Sequence, residues 1–497
     1  MAKMPLRRSA ASVAVLAATA ALFTTPAEGV EPARPKLTDS WKLYSEQELA
    51  SGVVLTRYVE SSVETGRAKS AGGRLLNIVR INPTLGVIDV DTTFGAEAVV
   101  AEKVSEQLEA VRPKAPVAGI NGGYFVPEDP ISERVQTLNH LGLAAQDGVL
   151  HSASCFGGSM GAFLQYGVPY ITKAKTSLTL SATGDSVEID DINRNLGLFF
   201  GCASTADDKA VQENPNTTFE EKHYMYDPDE VVLFTSDYGA PTPTKAPLPA
   251  DPAPNVGDPG FPPASALKDR EAEVEIDDKG VVVADAATTR GGRTIRAKHR
   301  VLQGIGTGAD WILKYGKKGA VLTVDEKLTD TRTGQEITLD PSLDIVNGIH
   351  ELVHSDAPAV TAAAKDSCHE VRDSNGTQVT ANRRDTGDVC LDDRTAIGVN
   401  AYGHTLLVTL TDQTSGVPVR NGGYLDEFAK LLMTEEIAAV DALNLDGGGS
   451  TTLLAKGDDM TPPIHPAGGG AMTYRPVANA VHTGAAGFVH TGPLPTP

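Results

Sequence analysis

The most informative stretch of the sequence is ALNLDGGGSTT, residues 442–452. Residues 442–445 form a short apolar run typical of a buried strand, and the run ends directly at Asp446. Consecutive glycines allow unusual backbone conformations and let a ligand approach the backbone N–H groups. The stretch therefore predicts a strand that delivers one carboxylate to a turn able to hold an anion. The alternative is a purely structural turn at a crowded packing point.

Patterns on either side of this turn predict an α+β fold. Residues 115–120 read as a second buried strand that runs into an NGG turn, and residues 75–93 read as a hairpin. Apolar residues recur at helical spacing in 96–111 and in 425–433. This mixed order favours β-sheets with flanking helices over a regular alternation of strands and helices. The tetrad NGGY occurs twice, but glycine is so common in this chain that we interpret the repeat as coincidence.

Composition and charge exclude several classes of protein. The chain has 497 residues, of which 41% are hydrophobic and 22% charged, so we expect a large buried core. The formal net charge of −21 disfavours non-specific binding to nucleic acid or anionic lipid. Beyond the N-terminal region, no segment reaches about 18 consecutive apolar residues, so no membrane span is predicted.

The N-terminus has the pattern of a secretory signal peptide. Lys3, Arg7 and Arg8 precede an uncharged run of small and apolar residues, 9–23, and a small-residue cleavage site lies before Glu28. The run is too short to cross a bilayer. We therefore predict that residues 1–27 are removed and that the mature protein is secreted. The removal takes away three cations and no anion, which makes the mature chain still more acidic.

The chain has four cysteines, Cys155, Cys202, Cys368 and Cys390. In an oxidising compartment four cysteines allow three pairings. Pairing sequence neighbours closes the shorter loops, so we predict Cys155–Cys202 and Cys368–Cys390. Free buried thiols are the alternative.

Residues 350–354, HELVH, match the HExxH pattern of zinc peptidases. On a helix this spacing places His350 and His354 on one face to bind zinc, with Glu351 as the base. A glycine immediately before the motif and a proline soon after it leave little room for a helix, and residues 343–353 read as a strand. A zinc metallopeptidase is therefore kept as an alternative function.

Four segments together resemble the phosphodiester glycosidase family. They are AGINGGYF at 118–125, RTAIGV at 394–399, ALNLDGGGSTT at 442–452 and RPVANA at 475–480. The resemblance implies one large mixed catalytic domain over residues 53–490. That domain would follow the signal peptide and an N-terminal extension, and it would precede a short tail. These further boundaries are 28–52 for the extension, 240–265 for a Pro-rich internal loop, 366–390 for an insertion and 491–497 for the tail.

The resemblance also implies an activity. It is the hydrolysis of the bond between the anomeric carbon of a sugar and the oxygen of a phosphodiester, which releases free sugar and a phosphomonoester. The expected partner is a sugar-phosphodiester or a phosphorylated glycan. A non-catalytic binder of phosphorylated cell-surface glycan is a further alternative. The sequence leaves open the sugar, the phosphorylated alcohol, retention or inversion at the anomeric carbon, and the oligomeric state.

Site residues follow from the motifs that carry the resemblance. Arg394 is expected to clamp the phosphate with its planar guanidinium, Asp446 to act on the sugar as base or nucleophile, and Glu427 to be a partner acid. The expected substrate-binding residues are Asn121, Gly122, Gly123, His350, Asn444, Gly447, Gly448, Gly449, Ser450 and Arg475. No cofactor is certain. A Ca²⁺ ion held by Asp and backbone carbonyls suits an acidic exported protein, although no twelve-residue calcium loop is present.

Overall fold

The computed structural model describes eleven stretches of the chain. They are residues 34–60, 73–85, 88–96, 98–127, 138–212, 223–244, 270–360, 392–412, 422–463, 465–466 and 472–485. The predicted signal peptide, the insertion at 366–390 and most of the Pro-rich loop lie outside these residues. Residues 35–497 form one compact unit. None of the helices in the described stretches is long and apolar enough to cross a membrane.

The described residues are mainly β-structure, so the prediction of an α+β fold is wrong. They contain three α-helices, α1 (Val104–Ala110), α2 (Gly306–Tyr315) and α3 (Leu425–Leu432). The last of these confirms the helix predicted at 425–433. The helix predicted at 96–111 begins only at Val104, because residues 98–99 form a turn, Glu102 forms an isolated bridge with Val477, and Val99 packs with the cluster around Phe234. Apolar spacing there reflected burial rather than helix.

The strands of the described residues have the following bounds. In the first third of the chain they are β1 Trp41–Ala50, β2 Val53–Glu60, β3 Arg74–Ile81, β4 Ile88–Thr93, β5 Ala118–Asn121, β6 Phe125–Pro127, β7 Leu138–His140, β8 Ala144–Gln146, β9 Val149–Ser152, β10 Ser159–Gln165 and β11 Val168–Ala182. In the middle they are β12 Asp185–Glu188, β13 Asp191–Ile192, β14 Leu198–Gly201, β15 Lys209–Gln212, β16 His223–Tyr226, β17 Val231–Thr235, β18 Glu271–Ile276, β19 Arg300–Ile305, β20 Thr323–Asp330 and β21 Glu336–Ile337. In the last third they are β22 Leu343–Asn347, β23 Glu351–His354, β24 Ala357–Pro358, β25 Arg394–Asn400, β26 Thr405–Asp412, β27 Ala439–Asn444, β28 Leu453–Ala455, β29 Asp458–Asp459, β30 His465–Pro466, β31 Met472–Thr473 and β32 Ala480–Ala485.

An eight-stranded antiparallel sheet, sheet 1, carries the segments singled out in the sequence. Its strand order is β1-β2-β3-β26-β25-β27-β23-β24. Every residue of β26 is buried, because α3 covers one face of the sheet and a second layer of strands covers the other. At the edge, β1 exposes most of its side chains. The middle of sheet 1 is therefore the rigid part of the fold.

Two more sheets complete the layer behind sheet 1. Sheet 2 has the order β21-β20-β11-β10-β22-β8-β9, with β12 paired to β11, and sheet 3 has the order β29-β28-β5-β32-β4. One core joins the three sheets through buried residues such as Leu407, Val346 and Ile120. This shared core brings the end of β5 next to the ends of β25 and β27.

A third layer lies beyond sheet 2. It consists of a four-stranded sheet, β13-β17-β19-β18, and the helix α2, whose Trp311 and Ile312 pack into a core shared with sheet 2. The predicted disulfide Cys155–Cys202 is present, with 5.6 Å between the two Cα atoms. That pairing is confirmed. Cys368 and Cys390 lie outside the described residues.

Candidate active site

Three of the predicted site residues meet at one end of sheet 1. Strands β25 and β27 are antiparallel with Ala396 opposite Asn444, so Arg394 at the start of β25 lies beside Asp446, just past the end of β27. On the other side of β27, the carbonyl of His350 accepts the N–H of Asn444 at 2.8 Å. The end of β27 therefore delivers Asp446 between Arg394 and His350.

The pleat of the sheet decides which way these side chains face. Ala396 packs with Phe428 of α3, whereas its neighbour Ile397 belongs to the core on the opposite face. Because side chains alternate along a strand, Arg394 and Asn444 lie on the same face as Ala396. The site is thus on the α3 side of sheet 1.

Arg394 is the buried cation of this site. Its side chain is among the largest that are fully buried, with 1% exposure of the residue. The Nε atom donates to the carbonyl of Gly423 at 2.9 Å. A Cβ added at Gly447 would lie 4.0 Å from the Nη1 atom of Arg394, so the guanidinium reaches the glycine turn. The bond to the Gly423 carbonyl orients the guanidinium.

His350 lies half-buried within the field of Arg394. Burial, and then the positive charge of Arg394, lower the pKa of His350 to about 4. The imidazole is therefore neutral near neutral pH. A neutral ring has one N–H donor and one acceptor, so His350 can hydrogen-bond a ligand without adding charge.

The turn after β27 is fixed through its main chain. The Asp446 carbonyl accepts Nδ2 of Asn121 at 2.6 Å, and its N–H donates to the carbonyl of Gly122 at 3.2 Å. The Asp446 Oδ1 atom accepts the N–H of Gly447 at 3.0 Å. Gly448 has a φ of +58° and donates its N–H to the carbonyl of Asp393 at 2.8 Å. A glycine is required there by the left-handed backbone.

Asn121 joins three of the sequence motifs. It is fully buried, and its Oδ1 atom accepts the Thr395 hydroxyl at 2.8 Å and the Thr452 N–H at 3.2 Å. Together with the bond from Nδ2 to Asp446, these contacts occupy both ends of the amide. The structure therefore places Asn121 as a brace for the turn, and the substrate contact expected of it stays a prediction.

The two glycines that follow have internal partners as well. Gly122 donates its N–H to the carbonyl of Asn479 at 2.8 Å, and Gly123 donates to the Asn479 Oδ1 atom at 2.8 Å. A Cβ at Gly123 would lie 1.6 Å from the Oδ1 atom of Asn347. These N–H groups hold the RPVANA segment against the site, and the anion cradle expected of these glycines stays a prediction.

Asn444 is oriented by an aromatic residue from the NGGYF segment. Its Nδ2 atom donates to the hydroxyl oxygen of Tyr124 at 2.6 Å, and both residues are buried. The carbonyl of Tyr124 in turn accepts Nδ2 of Asn347 at 3.1 Å. The AGINGGYF segment therefore contacts the ALNLDGGGSTT segment through both its asparagine and its tyrosine.

Arg475 supports the far end of the glycine turn. Gly449 and Ser450 are buried there, and the Ser450 N–H donates to the carbonyl of Gly447 at 3.1 Å. The Nη1 atom of Arg475 donates to the Ser450 hydroxyl at 3.3 Å, and its guanidinium carbon lies 5.4 Å from the ring centre of Phe125. Arg475 is half-buried and lies next to the turn.

Glu427, in the first turn of α3, pairs with a buried arginine. Its Oε1 atom accepts Nη1 of Arg74 at 2.9 Å, while Nε of Arg74 pairs with Glu60 at 2.5 Å. Burial alone would lower the pKa of Arg74, but the hydrogen bond to Glu60 and the charge of Glu427 raise it. A Cβ at Gly423 would lie 3.7 Å from the Glu427 Oε2 atom, so this ion pair adjoins the residue that holds Arg394.

Two contributors to the site were not identified from the sequence. Arg74 carries no motif, yet its Nη1 atom also donates to the carbonyl of Gly422 at 2.9 Å. The second NGGY tetrad offered a signal that we interpreted as coincidence. Of that tetrad the structure describes residues 422–424, and the carbonyls of both glycines hold arginines of the site.

The HExxH residues do not form the helix that a zinc site requires. Glu351 and His354 belong to strand β23, as the alternative interpretation of the sequence predicted. Glu351 pairs with Arg332 at 2.6 Å, and His354 Nδ1 lies 3.0 Å from a Glu351 oxygen. The charge of Arg394 instead acts on His350 and lowers its pKa. The geometry behind the peptidase alternative is absent from these residues.

Comparison with known proteins agrees with the motifs. Residues 270–482 match the family model for phosphodiester glycosidase, so the resemblance seen in the sequence is confirmed over that range. The range contains His350, Arg394, Asp446 and Arg475. No curated protein is significantly similar to the chain in sequence.

Solved structures share the architecture at low sequence identity. A candidate exported protein from Burkholderia pseudomallei has a TM-score of 0.67 and 20% identity, covering 91% of this chain and 98% of that one. A hypothetical protein from Synechocystis has a TM-score of 0.54 and 16% identity, with 90% and 64% coverage. The catalytic domain of zebrafish N-acetylglucosamine-1-phosphodiester α-N-acetylglucosaminidase, auto-inhibited by its pro-peptide, has a TM-score of 0.36 and 13% identity, with 92% and 96% coverage. The first two establish the fold alone.

Proposed function

We propose that the protein is an exported glycosidase that hydrolyses the bond between the anomeric carbon and the phosphate oxygen of a sugar-1-phosphodiester. One water is consumed, and free sugar and a phosphomonoester are released. The family match over residues 270–482 supports the reaction class. The observation that carries the assignment of the site is the buried Arg394, which reaches the Asp446–Gly447 turn beside the neutral His350.

Arg394 would bind the phosphate group. Its guanidinium can pair with two non-bridging oxygens, and burial strengthens such a charge-assisted contact. The Nε atom donates to Gly423, and the Nη1 atom lies near the turn at Gly447. His350 would donate a hydrogen bond to a third oxygen as a neutral ring, so that the phosphate is held mainly by one positive charge.

Cleavage would place the electron pair of the C–O bond on the phosphate oxygen. A phosphate is a good leaving group, so the main requirement is to stabilise the charge that grows on it, and Arg394 supplies that stabilisation. The sugar acquires positive charge at the anomeric carbon. The Asp446 carboxylate would promote bond formation at that carbon, either by taking a proton from the attacking water or by attacking the carbon itself. Retention and inversion remain alternatives.

Three observations support export. The N-terminus has the signal-peptide pattern, the Cys155–Cys202 disulfide suits an oxidising compartment, and the fold is shared with a candidate exported protein. The acidic composition is compatible with this setting. An anionic substrate then has to reach a local cationic pocket, and Arg394 provides one.

The test is hydrolysis of a panel of sugar-1-phosphodiesters by the mature, disulfide-bonded chain. Free sugar and phosphomonoester are measured together, since their equal release identifies the broken bond. We expect Asp446→Asn to lose about 10³-fold in kcat, because it keeps the shape of the side chain and removes its charge. Asp441→Asn is the matched control, because Asp441 lies on the same β27 strand and pairs with His354 instead. It should keep nearly full activity.

Each contrary result has a definite meaning. Full activity of folded Asp446→Asn would refute the assignment of the active site, although the proposed reaction would still stand. Tight binding of phosphorylated glycan with no turnover on any diester would refute the enzyme and favour the binding-protein alternative. Peptide cleavage that a chelator abolishes would refute the reaction class.

A further inference from the structure

A cluster of carboxylates lies apart from the residues of the candidate active site. It forms where β13, β15, β16 and β17 begin or end, and its members are Asp190, Asp207, Asp208, Asp227 and Glu230. One oxygen each of Asp190, Asp207 and Asp227 lie within 4.8 Å of one another. The same holds for Asp208, Asp227 and Glu230. Asp227 belongs to both groups and is the centre of the cluster.

Two oxygens of this cluster are buried without a hydrogen-bond donor. Asp227 is 1% exposed, and its Oδ1 atom accepts the N–H of Asp229 at 2.8 Å. Its Oδ2 atom has no hydrogen-bond partner in the structure, and neither has the Oδ1 atom of Asp208. Buried carboxylate oxygens are almost always satisfied, because leaving one unpaired is costly. The two oxygens therefore indicate a missing positive ligand.

The local backbone holds these oxygens in place. The N–H groups of Ser204 and Thr205 both donate to Oδ2 of Asp208, at 2.7 and 3.1 Å. Their bonds orient that carboxylate, with Oδ1 left buried inside the cluster. The position of Asp208 is thus fixed by the turn at 204–208, whereas Asp207 in the same turn is exposed.

The cluster carries more negative charge than its buried arginine offsets. Arg194 pairs with Asp191 at 2.8 Å and with Glu230 at 2.6 Å. Burial raises the pKa of Asp190 to about 7 and that of Asp227 to about 6, and neighbouring carboxylates add to both shifts. A bound cation would remove this penalty and keep the carboxylates ionised.

We propose that the cluster binds one Ca²⁺ ion, with Asp227 as its central ligand. All of the donors are carboxylate oxygens, which hard divalent cations prefer and zinc does not. Oxygens on opposite sides of a Ca²⁺ ion lie about 4.8 Å apart, because each Ca–O distance is about 2.4 Å. The oxygens here fall within that span. Mg²⁺ demands shorter, octahedral contacts, which an irregular set from three chain segments suits less well.

The ion would tie together two chain segments. One is the segment 203–208, which follows the Cys155–Cys202 disulfide and accepts the N–H of Phe156 at the Ala203 carbonyl. The other is the turn between β16 and β17. The site is therefore structural, and its effect should be measured on stability as well as on binding.

The experiment uses the full mature chain after treatment with EDTA. Titration calorimetry should detect one Ca²⁺ per chain, and Ca²⁺ at about 100 times Kd should raise Tm by about 3 °C. In Asp227→Asn the heat and the rise in Tm should both be lost. Without Ca²⁺, this variant should melt no lower than the wild type, because the amide relieves repulsion among the carboxylates. A merely structural aspartate would give a lower Tm instead.

Asp441→Asn is the control, because Asp441 belongs to a different acidic group with Glu351 and His354. It should keep the full response to Ca²⁺. If Asp227→Asn does not fold, Asp208→Asn replaces it with the same expected loss. The proposal is wrong if Ca²⁺ at millimolar concentration gives neither heat nor a rise in Tm. It is also wrong if the variant responds like the wild type, or if Mg²⁺ stabilises the chain and Ca²⁺ does not.

Discussion

Two buried arginines in this chain lie in opposite surroundings. Arg194 is 3% exposed and pairs with the carboxylates of Asp191 and Glu230, and it lies 3.6 Å from the ring centre of Phe199. Arg394 is 1% exposed, and its Nε atom is held by a main-chain carbonyl. Both follow aspartates closely in the sequence, so local sequence does not distinguish them.

The difference lies in what happens to the positive charge. Around Arg194 the carboxylates outnumber the cation, and the pKa of Glu230 is raised well above its usual value, mainly by burial. The positive charge of Arg394 acts on a neighbouring side chain, because it helps to lower the pKa of His350. Arg194 is outnumbered by the carboxylates around it. Arg394 is oriented by Gly423 and lies beside the glycine turn of the candidate active site.

The largest expected effect is that of Arg394→Lys on activity. Lysine keeps the charge but loses the planar fork and the bond to Gly423, so kcat/KM for the diester should fall about 10³-fold. The same replacement at Arg194 should leave kcat/KM within about threefold in the folded enzyme, because that guanidinium belongs to the other cluster. Steady-state kinetics of both variants make the test. Equal losses would show that the two arginines do not differ in role.

The next largest effect is on the stability of the fold, and it concerns Arg194. Arg194→Met should lower the free energy of unfolding by about 3 kcal/mol, because it leaves two buried carboxylates without their cation. Urea unfolding followed by tryptophan fluorescence measures it. Arg112→Met is the control, since Arg112 pairs with Glu109 at an exposed position and should cost less than about 0.5 kcal/mol. A loss at Arg194 as small as that would contradict the comparison.

Some local features of the fold could be predicted from the sequence, whereas its layers could not. The hairpin predicted at 75–93 does not form, because β3 pairs with β2 and β26 while β4 pairs with β32. The apolar runs at 115–120 and 442–445 fall in β5 and β27, and the helix at 425–433 is α3. Sheet 1 pairs β3 with β26, which lie more than 300 residues apart. Such pairings depend on tertiary contacts and not on local periodicity. Without them, two helical patterns were enough to favour α+β over a mainly β fold.

The sequence was sufficient to predict which motifs form the site, but not which role each residue has in it. The motifs do meet, because Asn121, Thr395 and Thr452 share one hydrogen-bonded cluster. Whether an asparagine serves the substrate or the fold depends on its partners, and Asn479 could not be recognised as one beforehand. Arg74 could not be recognised from the sequence, because it lies in no motif and contacts Glu60 and Glu427 only after folding.

A third prediction concerns the field of Arg394 at His350. The folded pKa of about 4 lies below the unfolded value of about 6.5. Between these pH values the imidazole of His350 is protonated in the unfolded chain but not in the folded chain. The free energy of unfolding therefore falls as the pH falls from 6.5 to 4. His350→Gln removes this contribution. Its stability relative to the wild type should improve by about 1 kcal/mol for each pH unit below 6.5. Urea unfolding at pH 7 and pH 5 measures the change, and parallel behaviour of the two proteins would contradict it.

The smallest effect should come from Glu427, whose partner Arg74 is intermediate between the two arginines compared above. Arg74 is held by carboxylates like Arg194, yet it adjoins the Gly422–Gly423 carbonyls that also serve Arg394. Glu427→Gln keeps an acceptor for Arg74, and its side chain is 29% exposed, so it should cost less than about 1 kcal/mol of stability. We expect kcat within about threefold of the wild type.

Glu60→Gln is the matched control, because Glu60 holds the same guanidinium from the other side. Similar kcat values in the two variants would place Glu427 among the residues that position the site. A loss of about 100-fold in Glu427→Gln alone, with a changed pH profile, would make it the partner acid that the sequence suggested. In that case Arg74 would hold a catalytic carboxylate, and charge pairing would not by itself separate structural from functional arginines in this fold.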